Sequence, residues 1–539
     1  MLSKNFKEAA LNFLTILAFV FSINMVVSKV YGYFTTEETQ TYFSWGISTN
    51  PTVPQNYNQM VSVDTDVFTV MLDMNGGDVI SVVLKNYFDE AGQPYQVIGG
   101  DDKKGLLTSS NLDSETIVFQ PKLKRSQYSL SEDDQLTLQL TAQKDGVRYY
   151  KNYTFTRGSY QVDVETYMKN TSQDTAIVQP KVHIMGFLNT DLNTEEAPKI
   201  GKVSVHGVKP GGFGIAKLYE GFSQSGEKKS YQQVQVADLP KTAESVRTGG
   251  WFSYQDGHFV TAWVMPESYR HKLSYTWYDQ REQDDADQRY AMSSRGEKVS
   301  IPPGAEHNVA MTLYAGPALV DQLSKLSPGL KLTIDYGFLW MLSSLMASLL
   351  AFIHSFGVSW GWCVVLLTVL IRLAFYKQAK DQKVQGDKMK VVKAELEAVD
   401  QKYEGRSMTD PEVSEAKLAV YRKNGISPAS GCLMPLLSMP FYFAMFRMVS
   451  VNVVLRSQPF LWISDLTQPD PYYILPVMAM LGLYAQSRSM PIVDPSMKVV
   501  TRVLPLVVFV GMMATPSAGA LYVATQMAFQ AIQTKLLDK

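Results

Sequence analysis

Two hydrophobic rhythms divide the chain. From Val61 onward apolar and polar positions alternate with a period of two: Val67, Thr69 and Met71 face one way, Phe68, Val70 and Leu72 the other. Asn75-Gly76-Gly77 supplies a turn before Val79-Ile80-Ser81-Val82-Val83-Leu84. A second hairpin is written more plainly. Leu136, Leu138 and Leu140 share one face, Asp145-Gly146 turns the chain, and Tyr149, Lys151, Tyr153 and Phe155 run back. Arg157-Gly158-Ser159 then leads into Tyr160, Val162 and Val164. Many short strands with no helical period of useful length predict an all-β sandwich over residues 61–335. Residues 33–60, rich in Thr, Gln, Asn and Pro, read as a tether.

The other rhythm is that of long apolar runs. Ala9–Val27 carries no charge over 19 residues, about 28 Å of helix against a hydrocarbon thickness of ~30 Å. Ser28-Lys29-Val30-Tyr31 follows without an A-x-A cleavage pattern, so residues 1–32 read as an uncleaved signal-anchor span. Residues 336–356 hold an apolar run broken by Ser343, Ser344, Ser348 and His354, marginal for a span and equally suited to an amphipathic helix lying flat in the membrane interface, and it is read as the latter. Further spans are predicted at 357–376 and, within 430–539, at Gly431–Val449, Tyr472–Gln486, Val499–Ala514 and Ser517–Leu536. That makes six spans, with both termini on one side.

Charge orients them. Residues 377–429 hold eleven Lys and Arg, and Arg488, Lys498 and Arg502 cluster in a later loop. The loop 451–471 has only Arg456, beside Asp465 and Asp470. Basic loops stay in the cytoplasm, which places both termini there and the sandwich outside. Composition agrees with two regimes. Residues 33–335 carry 28 Lys and Arg against 37 Asp and Glu, net −9, and the rest of the chain 22 against 14, net +8. The near-neutral total excludes a nucleic-acid binder built on excess positive charge. Two cysteines, Cys363 and Cys432, and six scattered histidines exclude a disulfide framework and make no metal-ligand spacing.

Residues 377–429 read as a soluble helical hairpin. Met389, Val392, Leu396, Val399 and Tyr403 recur at 3-4-3-4 spacing, and Glu404-Gly405-Arg406-Ser407 breaks the pattern. Asp410 caps a second helix with Pro411 in its first turn, Val413, Ala416 and Val420 face the seam, and Asn424-Gly425 ends it. Such a hairpin is either a solvated connector or a docking arm for a partner or nascent chain.

Arg372 is the one charge within its apolar run. Five residues from Lys377, it sits about 7–8 Å inside the cytoplasmic end. It either snorkels to the interface or faces a wet hollow. Thr368 lies one turn away on the same face, and Ser438, Gln526, Gln530 and Gln533 are polar positions in other spans that could line the same hollow. The glutamine stripe could instead only glue helices. Gly357-Val358-Ser359-Trp360-Gly361 matches G-x-S-x-G but opens an apolar helix, so it is read as chance.

Several motifs are more specific: Asp335-Tyr336-Gly337, VVLLTVLIR ending at Arg372, SGCLMPLLSMPFYFAMFRMV (430–449), PFLWI (459–463), Asp465-Leu466, DPYYILP (470–476) and Pro516-Ser517. In the outer domain there are NGGDV (75–79), TFTRGSY (154–160) and GGWFSYQDGHFVTAWV (249–264). Across essentially its full length the chain resembles the YidC-type membrane protein insertases of the Oxa/Alb family, in the Gram-negative form with a large periplasmic domain. The resemblance implies a multi-domain membrane protein: a periplasmic all-β supersandwich, an α-helical polytopic core in the bacterial inner membrane, and a cytoplasmic helical hairpin. It implies a hydrophilic groove open to cytoplasm and lipid, with the family's arginine at Arg372 and its threonine at Thr368. Ser438 stands where the family often has glutamine, Gln526 where it often has asparagine, and Phe375-Tyr376-Lys377-Gln378 where a proline commonly follows.

The function so implied is insertion and folding of membrane proteins, with substrate residues at Arg372, Thr368, Ser438, Gln526 and Gln530. Partners would be nascent membrane proteins, the Sec translocon, the ribosome and signal-recognition-particle pathway, and the lipid bilayer, with no nucleic acid bound directly. No cofactor, catalytic residue or metal is expected, and no G-x-x-x-x-G-K-[ST] is present. The alternatives are a solute transporter, disfavoured because the spans show no inverted repeat, and a structural scaffold of a secretion complex.

Overall fold

The computed structural model describes residues 60–537, apart from 90–91, 102–103, 113–116, 131–132, 189–201, 209–228, 236–241, 280–287, 404–409, 426–429 and 490–494. The expected signal anchor, and the tether up to residue 59, lie outside them. The described residues divide into two compact units, 60–334 and 335–537.

The first unit is a β-sandwich whose pairings among the described residues are antiparallel but for one, the parallel pair of Met60–Asp64 with Gln127–Ser129. Phe68–Asp73 buries Phe68, Val70 and Leu72 on one face, the strict alternation that pins register. Asp145 and Gly146 both take positive φ (49° and 73°), which matches the right-handed twist of the strands they join, Gln135–Lys144 and Val147–Thr156. The second of these pairs with Gln161–Asn170, which pairs in turn with Glu306–Pro317.

The 21-residue strand Phe259–Asp279 changes partner along its length. Phe259–Val264 pairs with Glu306–Pro317, and His271–Asp279 with Gln288–Gly296. Opposite the change, pairing with Thr242–Asp256 shifts register between Thr248 and Gly250. Gly249 there has φ 57°, and a Cβ would lie 2.8 Å from the Glu267 Cα, so no side chain fits. His271 braces the bend. Its Nε2 lies 3.2 Å from the Gly249 carbonyl and its Nδ1 2.7 Å from the Ser294 hydroxyl, an arrangement for neutral imidazole, and burial depresses its pKa. Trp251 and Trp263 are each 1% exposed. Their indole N–H groups reach the Pro328 carbonyl and the Thr108 hydroxyl, so these large apolar bodies are buried without an orphaned donor.

One core position on Val147–Thr156 is a cation. Lys151 is 1% exposed and donates to the carbonyls of Gly76 (3.1 Å) and Ser110 (3.0 Å) and to Asp78 Oδ1 (3.3 Å). Tyr153 donates to the Gly77 carbonyl. The Asn75-Gly76-Gly77 turn is thus held from inside by two side chains of the facing hairpin.

The second unit is helical: α1 Val320–Leu326 closes the sandwich unit, and α2 Trp340–His354 begins the helical one. Then come α3 Trp360–Ala374, α4 Tyr376–Lys402, α5 Pro411–Lys423, α6 Ser430–Val451, α7 Ile474–Ser489, α8 Pro495–Met512 and α9 Ser517–Leu537. Among the described residues no helix is both long and apolar enough to cross a membrane. The expected span 357–376 is shortened to the 15 residues of α3, about 22 Å, because Phe375 breaks the helix before α4 starts. The expected span Tyr472–Gln486 begins two residues later, at Ile474.

The exposed large apolar residues of α2 are Trp340, Met341, Leu345, Leu349 and Phe352, with Ser348 and Ala351 exposed beside them, while Met346, Leu350 and Ile353 are buried on the opposite stripe. Apolar side chains therefore stand on both faces, whereas an amphipathic interfacial helix carries a strongly polar one; here that face is limited to Ser344 and Ser348. In the hairpin, Val392 and Leu396 of α4 are buried and Val420 and Tyr421 of α5 pack on them. Val399 and Tyr403 are half-buried, and the Met389 side chain lies outside the described ones. Asp410 accepts from the Glu412 N–H at 3.1 Å with Pro411 in the first turn, and Gly425 (φ 60°) follows the C-cap Asn424.

Candidate functional site

The helical unit is apolar at one end and polar at the other. The apolar end gathers Cys363, Val364 and Leu367 of α3, Ala518, Ala520 and Leu521 of α9, and Met445, Met448 and Val449 of α6. It is sealed by the segment 452–473. Phe460 and Ile463 pair as an isolated bridge around Leu461, whose φ is 55°, and this tight turn drives Phe460 onto the first turn of α3. A Cβ on Gly361 would lie 2.1 Å from the Phe460 ring, so glycine permits the contact. Ser517 and Ala518, opening α9, donate backbone N–H groups to Gln468 and Leu466.

Asp470 fixes that segment. It is 2% exposed, accepts from the Trp462 indole (2.9 Å), and caps α7 through the N–H groups of Tyr472 (3.1 Å) and Leu475 (2.7 Å). Three donors compensate the buried carboxylate. Sequence reasoning missed this residue, although an Asp-Pro pair heading an apolar run is a capping signal.

At ~1.5 Å per residue, Arg372 lies about 16 Å further along α3 than Gly361. Its guanidinium turns onto α9: Nη2 donates to the Gln526 carbonyl at 3.2 Å and to Gln530 Oε1 at 2.9 Å. Both acceptors are neutral. Its Nε is buried with no acceptor, and so is Gln526 Oε1 with no donor. Tyr442 of α6 and Tyr522 of α9 meet edge to face, their ring centroids 5.6 Å apart. These tyrosines too were missed, because an aromatic residue in an apolar run reads as core.

Of the residues expected together, Arg372, Gln526 and Gln530 meet. Thr368 is 1% exposed and spends its hydroxyl on the Val364 carbonyl at 2.7 Å, one turn back on its own helix. The Ser438 side chain lies outside the described ones. Gln533 is 5% exposed, its Nε2 unpartnered. At the entry to α2, Asp335 Oδ2 pairs with Arg447 of α6 at 3.1 Å while Oδ1 accepts from the Gly337 N–H at 2.9 Å. One turn into α2, Ser343 donates to the Ala444 carbonyl at 3.1 Å. Ser359 precedes α3 as its N-cap, and His354 Nδ1 faces the Val358 carbonyl at 2.7 Å with its ring stacked on Trp360, so the G-x-S-x-G match forms no nucleophile–base pair.

Residues 60–349 match the YidC periplasmic domain family, and residues 352–539 the family described as 60Kd inner membrane protein. A relative from Legionella pneumophila (strain Paris), called "Membrane protein insertase YidC", is 30% identical over 480 residues, covering 86% of this chain and 81% of its own length. Relatives bearing the same description in Stutzerimonas stutzeri (strain A1501) and Coxiella burnetii (strain RSA 493 / Nine Mile phase I) are 28% and 29% identical, covering 86% and 89% of this chain and 81% and 83% of their own. A solved structure, "Active YidC insertase crystal structure with the first transmembrane domain resolved", aligns over 88% of this chain and 92% of that chain, at 14% identity and a TM-score of 0.38. With both halves matched in order by the two domains of one architecture, the chain belongs to the YidC family of membrane protein insertases.

Proposed function

We propose that this chain inserts membrane proteins, and helps them fold, by offering their polar segments a half-way station around Arg372. The observation that carries the reading is the asymmetry of the helical unit. One end is sealed by Phe460, Ile463 and Leu466, and the other holds a cation with neutral partners, Gln526 and Gln530. A charged side chain at mid-bilayer costs about 3 kcal/mol or more. A polar recess reaching part of the way shortens the dry path, and Arg372, poorly screened there, attracts acidic residues of the segment in transit. The apolar segment that follows leaves sideways into lipid, driven by hydrophobic transfer.

In this reading the chain is a multi-pass protein of the bacterial inner membrane with both termini in the cytoplasm. Its support is the eleven Lys and Arg of residues 377–429. The hairpin α4–α5 then projects into the cytoplasm, its seam at Val392 and Leu396 closed and its outer faces left for a nascent chain, the ribosome or signal-recognition-particle pathway, or the Sec translocon. The test is reconstitution into liposomes with one short radiolabelled membrane protein whose translocated tail is acidic. Protease protection of the tail is expected, and Arg372→Ala should reduce it about tenfold. Undiminished protection in the variant would remove Arg372 from the mechanism, and no protection with the unsubstituted protein would overturn the reading.

A further inference from the structure

The partner of Arg372 has a consequence for what the recess selects. A buried or half-buried arginine is ordinarily compensated by a carboxylate, as Lys151 is by Asp78 in the sandwich. Arg372 instead donates through Nη2 to a backbone carbonyl and to the amide oxygen of Gln530, 2.9 Å away. An amide orients a guanidinium without cancelling its charge. Two further groups remain at the same place: Arg372 Nε, a buried donor with no acceptor, and Gln526 Oε1, an acceptor on a side chain 7% exposed with no donor. A polar group buried without a partner is costly; a carboxylate, which only accepts, can answer Arg372 Nε, while a backbone N–H of the same segment can answer Gln526 Oε1.

We propose that Gln530 is a positioning residue that sets the charge class of the substrate. It fixes the Arg372 guanidinium against α9 and keeps its positive charge uncompensated, so that acidic polar segments are favoured over neutral ones of the same length. This rests on the insertase reading. It goes beyond that reading in placing the selectivity in the neutrality of one side chain on a different helix from the arginine. A carboxylate at 530 would occupy the same 2.9 Å contact and present an incoming acidic residue with a neutral pair.

The experiment reads a ratio, which cancels any loss of folded protein. Full-length chain is reconstituted in liposomes with two versions of one short membrane protein, its translocated tail carrying Asp or the isosteric Asn, and the protected fractions are compared. For the unsubstituted protein the Asp tail is expected to be favoured. Gln530→Glu should lower the Asp-to-Asn ratio about tenfold while the Asn tail inserts within about twofold of its original level, from the loss of one close, partly desolvated charge interaction. Gln530→Met, which keeps the length and the charge of the site but removes the acceptor, should lower the ratio about threefold, because the guanidinium loses one of its two anchors. Equal loss of both tails in the two variants would mean that Gln530 only packs α9, and would overturn the proposal. A ratio unmoved by either variant, with the Asn tail still inserted, would overturn it while leaving insertase function standing. Failure of the unsubstituted protein to protect either tail would overturn the insertase reading and this inference with it.

Discussion

Two cations, Lys151 buried in the sandwich and Arg372 half-buried in the helical unit, are treated by their neighbours in opposite ways. Lys151 in the sandwich is 1% exposed and meets two carbonyls and a carboxylate. Every proton of the ammonium has an acceptor, and its charge is matched by Asp78. Arg372 in the helical unit is half-buried, meets only neutral oxygens, and keeps a buried N–H unpartnered. The first arrangement is complete and has nothing left to offer a ligand. The second is incomplete in a manner that a polar, negatively charged visitor would finish. A buried charge therefore marks a site when its compensation stops short, and marks a staple when it does not.

The largest effect should come from breaking the complete arrangement. Lys151→Met leaves Asp78 without its counter-charge and frees the Asn75–Gly77 turn, and should cost about 3–5 kcal/mol in urea unfolding followed by tryptophan fluorescence. Adding Asp78→Leu should restore a good part of that loss, since the pair is then replaced by apolar groups.

Removing Asp470 should come next. Asp470→Ala strips the cap of α7 and the partner of the Trp462 indole, an expected loss of about 1–3 kcal/mol. It should appear as faster hydrogen exchange at Tyr472 and Leu475 and faster proteolysis within 452–473, with the sandwich unaffected.

Comparable in size is a pH effect confined to the sandwich. Burial pushes the His183 pKa down from 6.5 to about 4, and His271 is lowered by the same cause. Because the unfolded chain binds protons that the folded one refuses, the stabilisation is complete above about pH 6.5 and is lost as pH falls toward 4. A loss of up to about 3 kcal/mol across that window is expected. His183→Phe should flatten the profile, measured by thermal unfolding at a series of pH values.

The smallest effect on stability should come from the incomplete arrangement. Arg372→Ala should change unfolding stability by less than about 1 kcal/mol, because it also removes an unpartnered buried donor. A stability loss as large as that of Lys151→Met would erase the distinction drawn between the two cations.

Much of the fold was legible along the chain. The period-two alternation at Phe68, Val70 and Leu72, the Asp145-Gly146 turn and the Asp410-Pro411 cap are all local rules, and the structure places strands, turn and helix start there. Arg372 and the glutamines of α9 stood out for a similar reason: polar groups are conspicuous in an apolar run. Other parts carried no local signal. Lys151 sat on the apolar face of its hairpin, yet the sequence did not show that Gly76, Asp78 and Ser110, distant along the chain, would converge on it. The segment 452–473 read as a loop and is instead a folded seal, because its order comes from Asp470 and from contacts with α3 and α9. Thr368 shows the limit on the other side. Its spacing put it on the face of Arg372, but whether its hydroxyl turned toward Arg372 or back to Val364 depended on rotamer and packing.

What the sequence by itself determined is the partition into a β-sandwich and a helical unit, their turns and caps, and the family, because these rest on periodicities and motifs of a few to a few tens of residues. What only the tertiary structure decided is which polar groups are satisfied. Compensation of a buried charge is a sum over neighbours brought together from distant parts of the chain, and for Arg372 that sum comes out neutral on the acceptor side.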